Sequence, residues 1–193
     1  MLVLASASPR RRELLSSLCS EFQVVPADIE ETLTSGPLPQ AVARLALDKA
    51  RAVAVRLGDG VILGADTIVV VGGDVLGKPA DAEAARQMLR RLRAREHEVL
   101  TGIAVVDGRS GRADTTSVAS RVRMADYDDA AIDAYVATGE PLDKAGAYAI
   151  QGRGGALVAG LEGSFSNVVG LPLEETARLL AAFGVPVSAP PAR

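Results

Sequence analysis

A single carboxylate interrupts the most apolar stretch of the chain. The run VILGADTIVVV, from Val61 to Val71, is rich in β-branched residues, and Asp66 is its only charged residue. Runs of this kind are typical of strands buried inside a sheet. A buried, isolated carboxylate is unfavourable unless it is paired, hydrogen-bonded or bound to a metal. The run therefore predicts a buried strand that carries a metal ligand or general base, with the alternative that Asp66 and Thr67 merely end the strand.

Strands and helices are predicted to alternate along the rest of the chain. Apolar runs predict strands at residues 2–5, 22–25, 75–76, 99–106 and 115–124. Amphipathic or capped segments predict helices at residues 10–20, 39–57, 81–93, 126–137 and 172–183. The adjacent strands at 99–106 and 115–124 indicate a hairpin. We therefore predict an α/β fold with a mixed sheet, because a hairpin adds antiparallel pairing to an otherwise alternating pattern.

Two serines and three arginines gather at the start of the first predicted helix, in LASASPRRREL. Ser8 is suited to cap this helix, with Pro9 as its first helical residue. The free amide groups of a helix start bind anions, whereas Arg10, Arg11 and Arg12 would oppose the helix dipole there. The segment is therefore interpreted as a site for a phosphate chain, with three solvated arginines as the alternative.

Three lysines and a glutamine complete the candidate residues. Lys49 falls on the apolar stripe of the helix at 39–57, where it either reaches solvent or meets a buried anion. Lys78 is the last residue but one of GGDVLGKP, which is no P-loop because Pro79 replaces the required Ser or Thr, although Lys78 remains a phosphate candidate. GEPLDKAGAYAIQGRGG places Lys144 and Gln151 among five glycines, which suits either a binding loop or a flexible one. The Gln151 amide could read a base edge.

Composition and charge exclude several classes of protein. Hydrophobic residues make up 48% of the 193 residues and charged residues 23%, which excludes a disordered or fibrous chain. A net charge of −3 and an aromatic content of 3% argue against nucleic-acid binding. The apolar runs are shorter than a membrane span requires, so no membrane partner is expected. The N-terminal apolar stretch precedes its basic cluster, the reverse of a secretory signal, and we expect a cytoplasmic protein.

The scarcity of histidine and cysteine limits the metal chemistry. His97 and Cys19 are the only residues of their types, which excludes an intrachain disulfide and zinc sites built from several such ligands. A bound metal would therefore have oxygen ligands, which favours Mg²⁺ or Mn²⁺. We expect His97 to enter a strand and Cys19 to lie in the core.

Six short motifs, in this order along the chain, resemble the Maf family of nucleoside triphosphate pyrophosphatases. They are S-x-S-P-R-R at 6–11, G-A-D-T at 64–67, G-K-P at 77–79, D-K-A-G-A-Y at 143–148, I-Q-G at 150–152 and G-L-P at 170–172. The resemblance implies an elongated mixed sheet flanked by helices, with two lobes around a deep cleft, as in inosine triphosphate pyrophosphatases. Since no linker divides the chain, we expect residues 1–187 to form one such domain and the proline-containing residues 188–193 a frayed tail.

The resemblance also implies an activity and a cofactor. Maf proteins cleave a nucleoside triphosphate between its α- and β-phosphates, giving the monophosphate and pyrophosphate by metal-assisted attack of water. Asp66 matches the family's proton acceptor, and Glu31 matches an acidic position near the divalent cation, Mg²⁺ or Mn²⁺. Residues that match positions of the phosphate-binding cleft are Ser8, Arg10, Arg11, Lys49, Lys78 and Lys144.

Three positions distinguish the subfamilies. The pyrimidine-selective type, acting on dTTP and UTP, carries Arg, Thr and Gln there, and this chain has Arg11, Thr67 and Gln151. The alternatives are a pyrophosphatase of 7-methyl-GTP or non-standard nucleotides, and a nucleotide-binding regulator of septum formation. The departure from the family pattern is Arg12, which we expect to face solvent. Homodimers are common in the family, so a homodimer is expected.

Overall fold

The structure is a computed structural model that describes residues 1–190. Its strands are β1 Leu2–Leu4, β2 Gln23–Val24, β3 Val61–Val71, β4 Asp74–Leu76, β5 Glu96–Asp107, β6 Ala113–Met124 and β7 Val158–Glu162. Its α-helices are α1 Pro9–Ser16, α2 Leu38–Leu57, α3 Ala82–Leu92, α4 Asp129–Val136, α5 Phe165–Val169 and α6 Leu173–Ala182. Three short 3-10 helices lie at Glu140–Asp143, Ala145–Ala147 and Gly152–Leu157.

The seven strands form one mixed sheet in the order β2-β1-β3-β5-β6-β7, and β4 pairs with β3 beside this path. The pairs β1–β2 and β1–β3 are parallel, whereas β3–β4 and β6–β7 are antiparallel. The predicted α/β class with a mixed sheet is therefore confirmed. No helix within residues 1–190 is both long and apolar enough to cross a bilayer.

Helix starts follow the local sequence closely. Ser8 caps α1 by accepting a hydrogen bond from the Arg11 amide, and Pro9 is the first helical residue. Asp81 and Asp128 cap α3 and α4 in the same way. The end of α1 was less predictable, because the helix stops at Ser16 instead of reaching residue 20.

The chain divides into two compact units. The first comprises residues 1–66, 101–118 and the chain from Gly170 onward. Its core lies on both faces of β1, β3 and β5: one cluster packs against α1 and α6, and another packs against α2. Cys19 is buried in the first of these clusters, as expected.

The second unit comprises residues 67–100 and 119–169. Its core joins α3 and α4 to the strand segments around them and to the segment 145–157, through Tyr148 and Leu157 among others. His97 is the second residue of β5, as expected. Neither β7 nor α5 was predicted, because glycines and serines surround both.

The predicted frayed tail lies partly outside the described residues. Positions 188–190 have no regular secondary structure, and the Ser188 amide donates to the Leu18 carbonyl oxygen at 2.8 Å. Residues 191–193 are not described by the structure. The single-domain boundary at residue 187 therefore stays a prediction.

Candidate active site

Asp66 lies in the interior of β3, so the carboxylate sits inside the sheet. The residue is 7% exposed. Alternate residues of a strand share a face, and Ile62 and Gly64 on this face contact α2. The alternative that Asp66 merely ends a strand is therefore wrong, because β3 continues to Val71 without interruption.

Lys49 of α2 connects Asp66 to a second carboxylate. Its Nζ donates to Asp66 Oδ1 at 2.7 Å and lies 2.7 Å from Glu31 Oε1. Lys49 is 5% exposed, whereas the Glu31 side chain is 54% exposed. Of the two outcomes that its helix position allowed, Lys49 meets a buried anion. A buried carboxylate is thus compensated by a buried ammonium group, with Glu31 on the solvent side.

A close approach of α2 to the sheet makes this contact possible. A Cβ atom at Gly64 would lie 2.2 Å from the Ala46 carbonyl oxygen, and one at Gly102 would lie 2.4 Å from that of Val42. Both distances are far below van der Waals contact, so only glycine fits at either position. The helix therefore rests directly on β3 and β5, which brings Lys49 to Asp66.

Arg11 is held in place by two polar groups beside the start of α1. Its Nε donates to the Gly170 carbonyl oxygen at 2.8 Å, and its Nη1 donates to Ser6 Oγ at 3.4 Å. Ser6 is buried, and its Oγ also accepts from the Ser8 amide at 3.2 Å. The guanidinium is therefore oriented by contacts that link the first motif of the chain to its last, G-L-P.

Arg11 also interacts electrostatically with both carboxylates of the site. Burial lowers the pKa of Arg11 from its ordinary value, and the charges of Asp66 and Glu31 oppose that shift. Arg10 adds to the lowering through charge repulsion. The structure thus brings Arg11 within electrostatic range of the two carboxylates and of Arg10, while Arg12 is exposed, as expected.

The remaining candidates lie in the second unit. Thr67 follows Asp66 in β3 and is half-buried. Lys78 is exposed, and the preceding Gly77 carbonyl accepts from the Gly146 amide at 3.0 Å. That bond joins the chain beside Lys78 to the chain beside Lys144.

Lys144 and Gln151 both lie within the glycine-rich segment 139–155. Lys144 Nζ donates to the Glu140 carbonyl oxygen at 2.7 Å and to Asp143 Oδ1 at 2.6 Å. Gln151 is half-buried and immediately precedes the 3-10 helix Gly152–Leu157. The roles of Lys78, Lys144 and Gln151 in binding substrate stay predictions.

A family model described as Maf-like protein matches residues 1–183 of this sequence. The chain belongs to the Maf family. Among curated relatives, the dTTP/UTP pyrophosphatase of Moorella thermoacetica is 55% identical over 187 residues, covering 96% of each chain. Those of Anaeromyxobacter dehalogenans (strain 2CP-C) and Myxococcus xanthus (strain DK1622) are 57% and 54% identical over 189 residues. They cover 96% and 97% of this chain and 95% and 94% of their own.

One solved structure is also similar to this Maf-like chain. The Staphylococcus aureus Ham1 protein aligns with 65% of the chain and 72% of its own length, with a TM-score of 0.47 and 17% identity.

Glu31 and Asp66 are the two carboxylates of this candidate site. Glu31 and Asp66 both contact one ammonium group, so their oxygens already converge on a single positive charge. Within residues 1–190, no three His, Cys, Asp or Glu side chains are grouped as a metal site. Mg²⁺ commonly uses one or two carboxylates together with water and substrate phosphates, so the pair fits such an ion.

Some contacts of the candidate residues within each unit were not predicted from the sequence. Ser6 and the Gly170 carbonyl orient Arg11, although both belong to motifs that were identified. The Glu140 carbonyl oxygen accepts a hydrogen bond from Lys144 Nζ. Glu140 lies four residues before Lys144, and this spacing was the sequence signal that could have indicated the contact. His97 is buried against Tyr148, with its Nε2 2.7 Å from the tyrosine hydroxyl.

Proposed function

We propose that the chain hydrolyses dTTP and UTP to the nucleoside monophosphate and pyrophosphate. The observation that carries this proposal is the buried Asp66, held by Lys49 beside Glu31 and Arg11. The substrate class comes from the relatives, which share more than half of the residues and are named dTTP/UTP pyrophosphatase.

In the proposed reaction, Asp66 accepts a proton from the attacking water. The water oxygen attacks a phosphorus of the α–β anhydride, that P–O bond breaks, and pyrophosphate leaves. Lys49 donates to Oδ1 of Asp66, and this charge-assisted hydrogen bond orients the carboxylate. Oδ1 already accepts from Lys49, so Oδ2 is the oxygen that would serve proton transfer or a cation.

The cations and the helix start would bind the triphosphate. Arg11 is prepared for this task, because Ser6 and Gly170 fix its guanidinium before any ligand arrives. Arg10, Lys78 and Lys144 would neutralise further phosphate charge, and the capped start of α1, at Ser8, would offer amide groups. These cations account for anion binding by a chain whose net charge is −3.

A divalent cation would be held by Glu31 and Asp66. When bound, Mg²⁺ or Mn²⁺ would neutralise phosphate charge and lower the pKa of a bound water molecule. Base selection would fall to Arg11, Thr67 and Gln151. The homodimer and the cytoplasmic location remain predictions.

A nucleotide panel with product identification tests the reaction. The purified chain is incubated with dTTP, UTP, CTP, GTP and 7-methyl-GTP, with Mg²⁺ or Mn²⁺ and with EDTA. We expect pyrophosphate from dTTP and UTP, and none in EDTA. Release of orthophosphate instead of pyrophosphate would contradict the proposal. A kcat/KM for 7-methyl-GTP above those for dTTP and UTP would favour a 7-methyl-GTP pyrophosphatase. Binding without turnover would favour a regulator instead.

Asp66→Asn tests the assigned base. We expect kcat to fall about 10²–10⁴-fold, because a positioned general base contributes that much to proton transfer. Asp48→Asn is the matched control, since Asp48 lies on α2 in a surface ion pair with Arg44. An Asp66→Asn protein as active as the Asp48→Asn protein would remove Asp66 from the mechanism.

A further inference from the structure

Glu140 lies at the centre of a hydrogen-bond cluster in the second unit. Its Oε1 accepts from the Tyr135 hydroxyl at 3.1 Å and from the Gly154 amide at 3.4 Å. Its Oε2 accepts from the Arg153 amide at 3.3 Å. One carboxylate therefore holds the backbone directly after Gln151.

Tyr135 holds the same loop from its other end. Its hydroxyl oxygen accepts from the Ala149 amide at 3.2 Å while donating to Glu140. Tyr135 is 5% exposed and its bond with the Ala149 amide is buried, so that bond is shielded from water and stronger than a surface bond. The Tyr135–Glu140 pair therefore grips the backbone on both sides of Gln151.

The loop is shaped to fit this pair. A Cβ atom at Gly154 would lie 2.5 Å from the Tyr135 hydroxyl oxygen, and one at Gly152 would lie 3.2 Å from the Glu140 carboxylate. Gly152 also has a φ of +69°, which a residue with a side chain rarely adopts. The glycines around Gln151 thus let the loop of residues 149–154 lie close to the Tyr135–Glu140 pair, which we call the clamp. They do not leave this loop free.

Glu140 also contacts a second candidate binding residue through its main chain. Its carbonyl oxygen accepts from Lys144 Nζ at 2.7 Å. The side chain of Glu140 therefore fixes the segment that carries Gln151, and its backbone fixes Lys144. A substitution that changes only the Glu140 carboxylate would therefore disturb the segment of Gln151 and leave the contact with Lys144 intact.

We propose that Glu140, together with Tyr135, is a positioning residue that sets base selectivity by holding the loop of Gln151. This inference rests on the proposed function. A Gln151 amide reads a base edge only if its backbone is fixed, because a shift of about 1 Å is enough to lose a directional contact.

The experiment compares two variants of the clamp with two matched controls. Glu140→Gln keeps the shape of the side chain and removes its charge, and Tyr135→Phe removes only the hydroxyl. Glu98→Gln removes an exposed charge from the same unit. Tyr127→Phe removes another buried hydroxyl, one that donates to the Leu89 carbonyl oxygen in α3. Each protein is assayed for kcat and KM with dTTP, UTP and CTP, and hydrogen exchange is measured at residues 149–154.

Both clamp variants should exchange the amides of 149–154 faster and lose roughly five- to tenfold in kcat/KM for UTP relative to CTP, mainly through KM. The controls should change neither quantity. In a Gln151→Ala background, Glu140→Gln should alter selectivity no further, because both changes act through one contact. If Glu140→Gln does not fold, Tyr135→Phe provides the same two measurements.

Three results separate the possible failures. Unchanged hydrogen exchange at 149–154 would overturn the clamp, whatever the activity. Faster exchange with unchanged UTP-to-CTP selectivity would overturn the positioning role, leaving a purely structural one. A wild-type chain that hydrolyses none of the nucleotides would overturn the proposed function and, with it, the selectivity role, while hydrogen exchange would still report on the clamp.

Discussion

The ammonium group of Lys49 is buried and contacts two carboxylates. Its Nζ lies 2.7 Å from Asp66 Oδ1 and 2.7 Å from Glu31 Oε1. Coulomb attraction at such a distance is strong where water is excluded, and so is the cost of leaving one partner alone. Asp66 is the partner at risk, since it is 7% exposed, whereas Glu31 can turn to solvent.

Replacing Lys49 by Met should therefore reduce the free energy of unfolding by about 3–5 kcal/mol, because it leaves Asp66 buried without a cation. The matched control is Arg44→Met on the same helix, which breaks an exposed pair with Asp48. That change should cost at most about 0.5 kcal/mol. Urea unfolding of both proteins checks the difference, and equal losses would contradict a structural role for the Lys49–Asp66 pair.

His97 provides a prediction of pH dependence. Burial lowers the pKa of His97 from 6.5 to about 4, so the folded chain keeps this residue neutral where the unfolded chain protonates it. Stability from this group is present above pH 6.5 and is lost as the pH falls toward 4, by about 3 kcal/mol in total.

His97→Gln should remove that part of the pH dependence while keeping a side chain that can bond the Tyr148 hydroxyl. Unfolding free energies measured from pH 7 to pH 4 should fall more steeply for the wild type than for the variant. All carboxylates are common to the two proteins, so parallel curves would show that His97 does not stay neutral on folding.

Helix α2 is the element on which the site depends. Its residues Val42, Ala46 and Ala50 lie against glycines of β3 and β5, where a Cβ atom would overlap the helix backbone. The apolar spacing of the helix predicts which face is buried but not how closely that face approaches the sheet.

Gly64→Ala should push α2 away from β3, lower the free energy of unfolding by at least about 2 kcal/mol and reduce turnover by separating Lys49 from Asp66. Gly77→Ala is the control for stability, since a Cβ atom there meets nothing within 4 Å. Its unfolding free energy should stay within about 0.5 kcal/mol of the wild type. Equal stability of the two variants would contradict the close approach.

The two compact units of the molecule are expected to unfold together, because they share strands. Strands β3, β5 and β6 each contribute residues to both units. A strand that is continuous through two units transmits the loss of one to the other, so a single cooperative transition is expected.

The chain carries a reporter for each unit. Cys19 is the only cysteine and lies in the first unit, whereas Tyr127, Tyr135 and Tyr148 are the only tyrosines and lie in the second. Thiol labelling of Cys19 and tyrosine fluorescence should give the same urea midpoint. Midpoints that differ beyond error would contradict the predicted single domain of residues 1–187.

Local patterns were sufficient for most of the elements, with β7 and α5 as exceptions, and for placing Asp66 inside a buried strand. The 61–71 run predicted β3 with Asp66 inside it, and Ser8, Asp81 and the spacing of α2 predicted helix starts and faces. These features depend on residues within a few positions of one another, through backbone hydrogen bonds, capping and side-chain periodicity.

Contacts between distant segments depended on the tertiary structure. Periodicity left Lys49 with two outcomes, and the packing of α2 on Gly64 decided between them. The anchoring of Arg11 by Gly170, 159 residues away, has no local signal at all. Short-range sterics determine what each segment becomes. Only the depth to which segments pack determines which polar atoms come within hydrogen-bonding distance, and at this site that distance sets the chemistry.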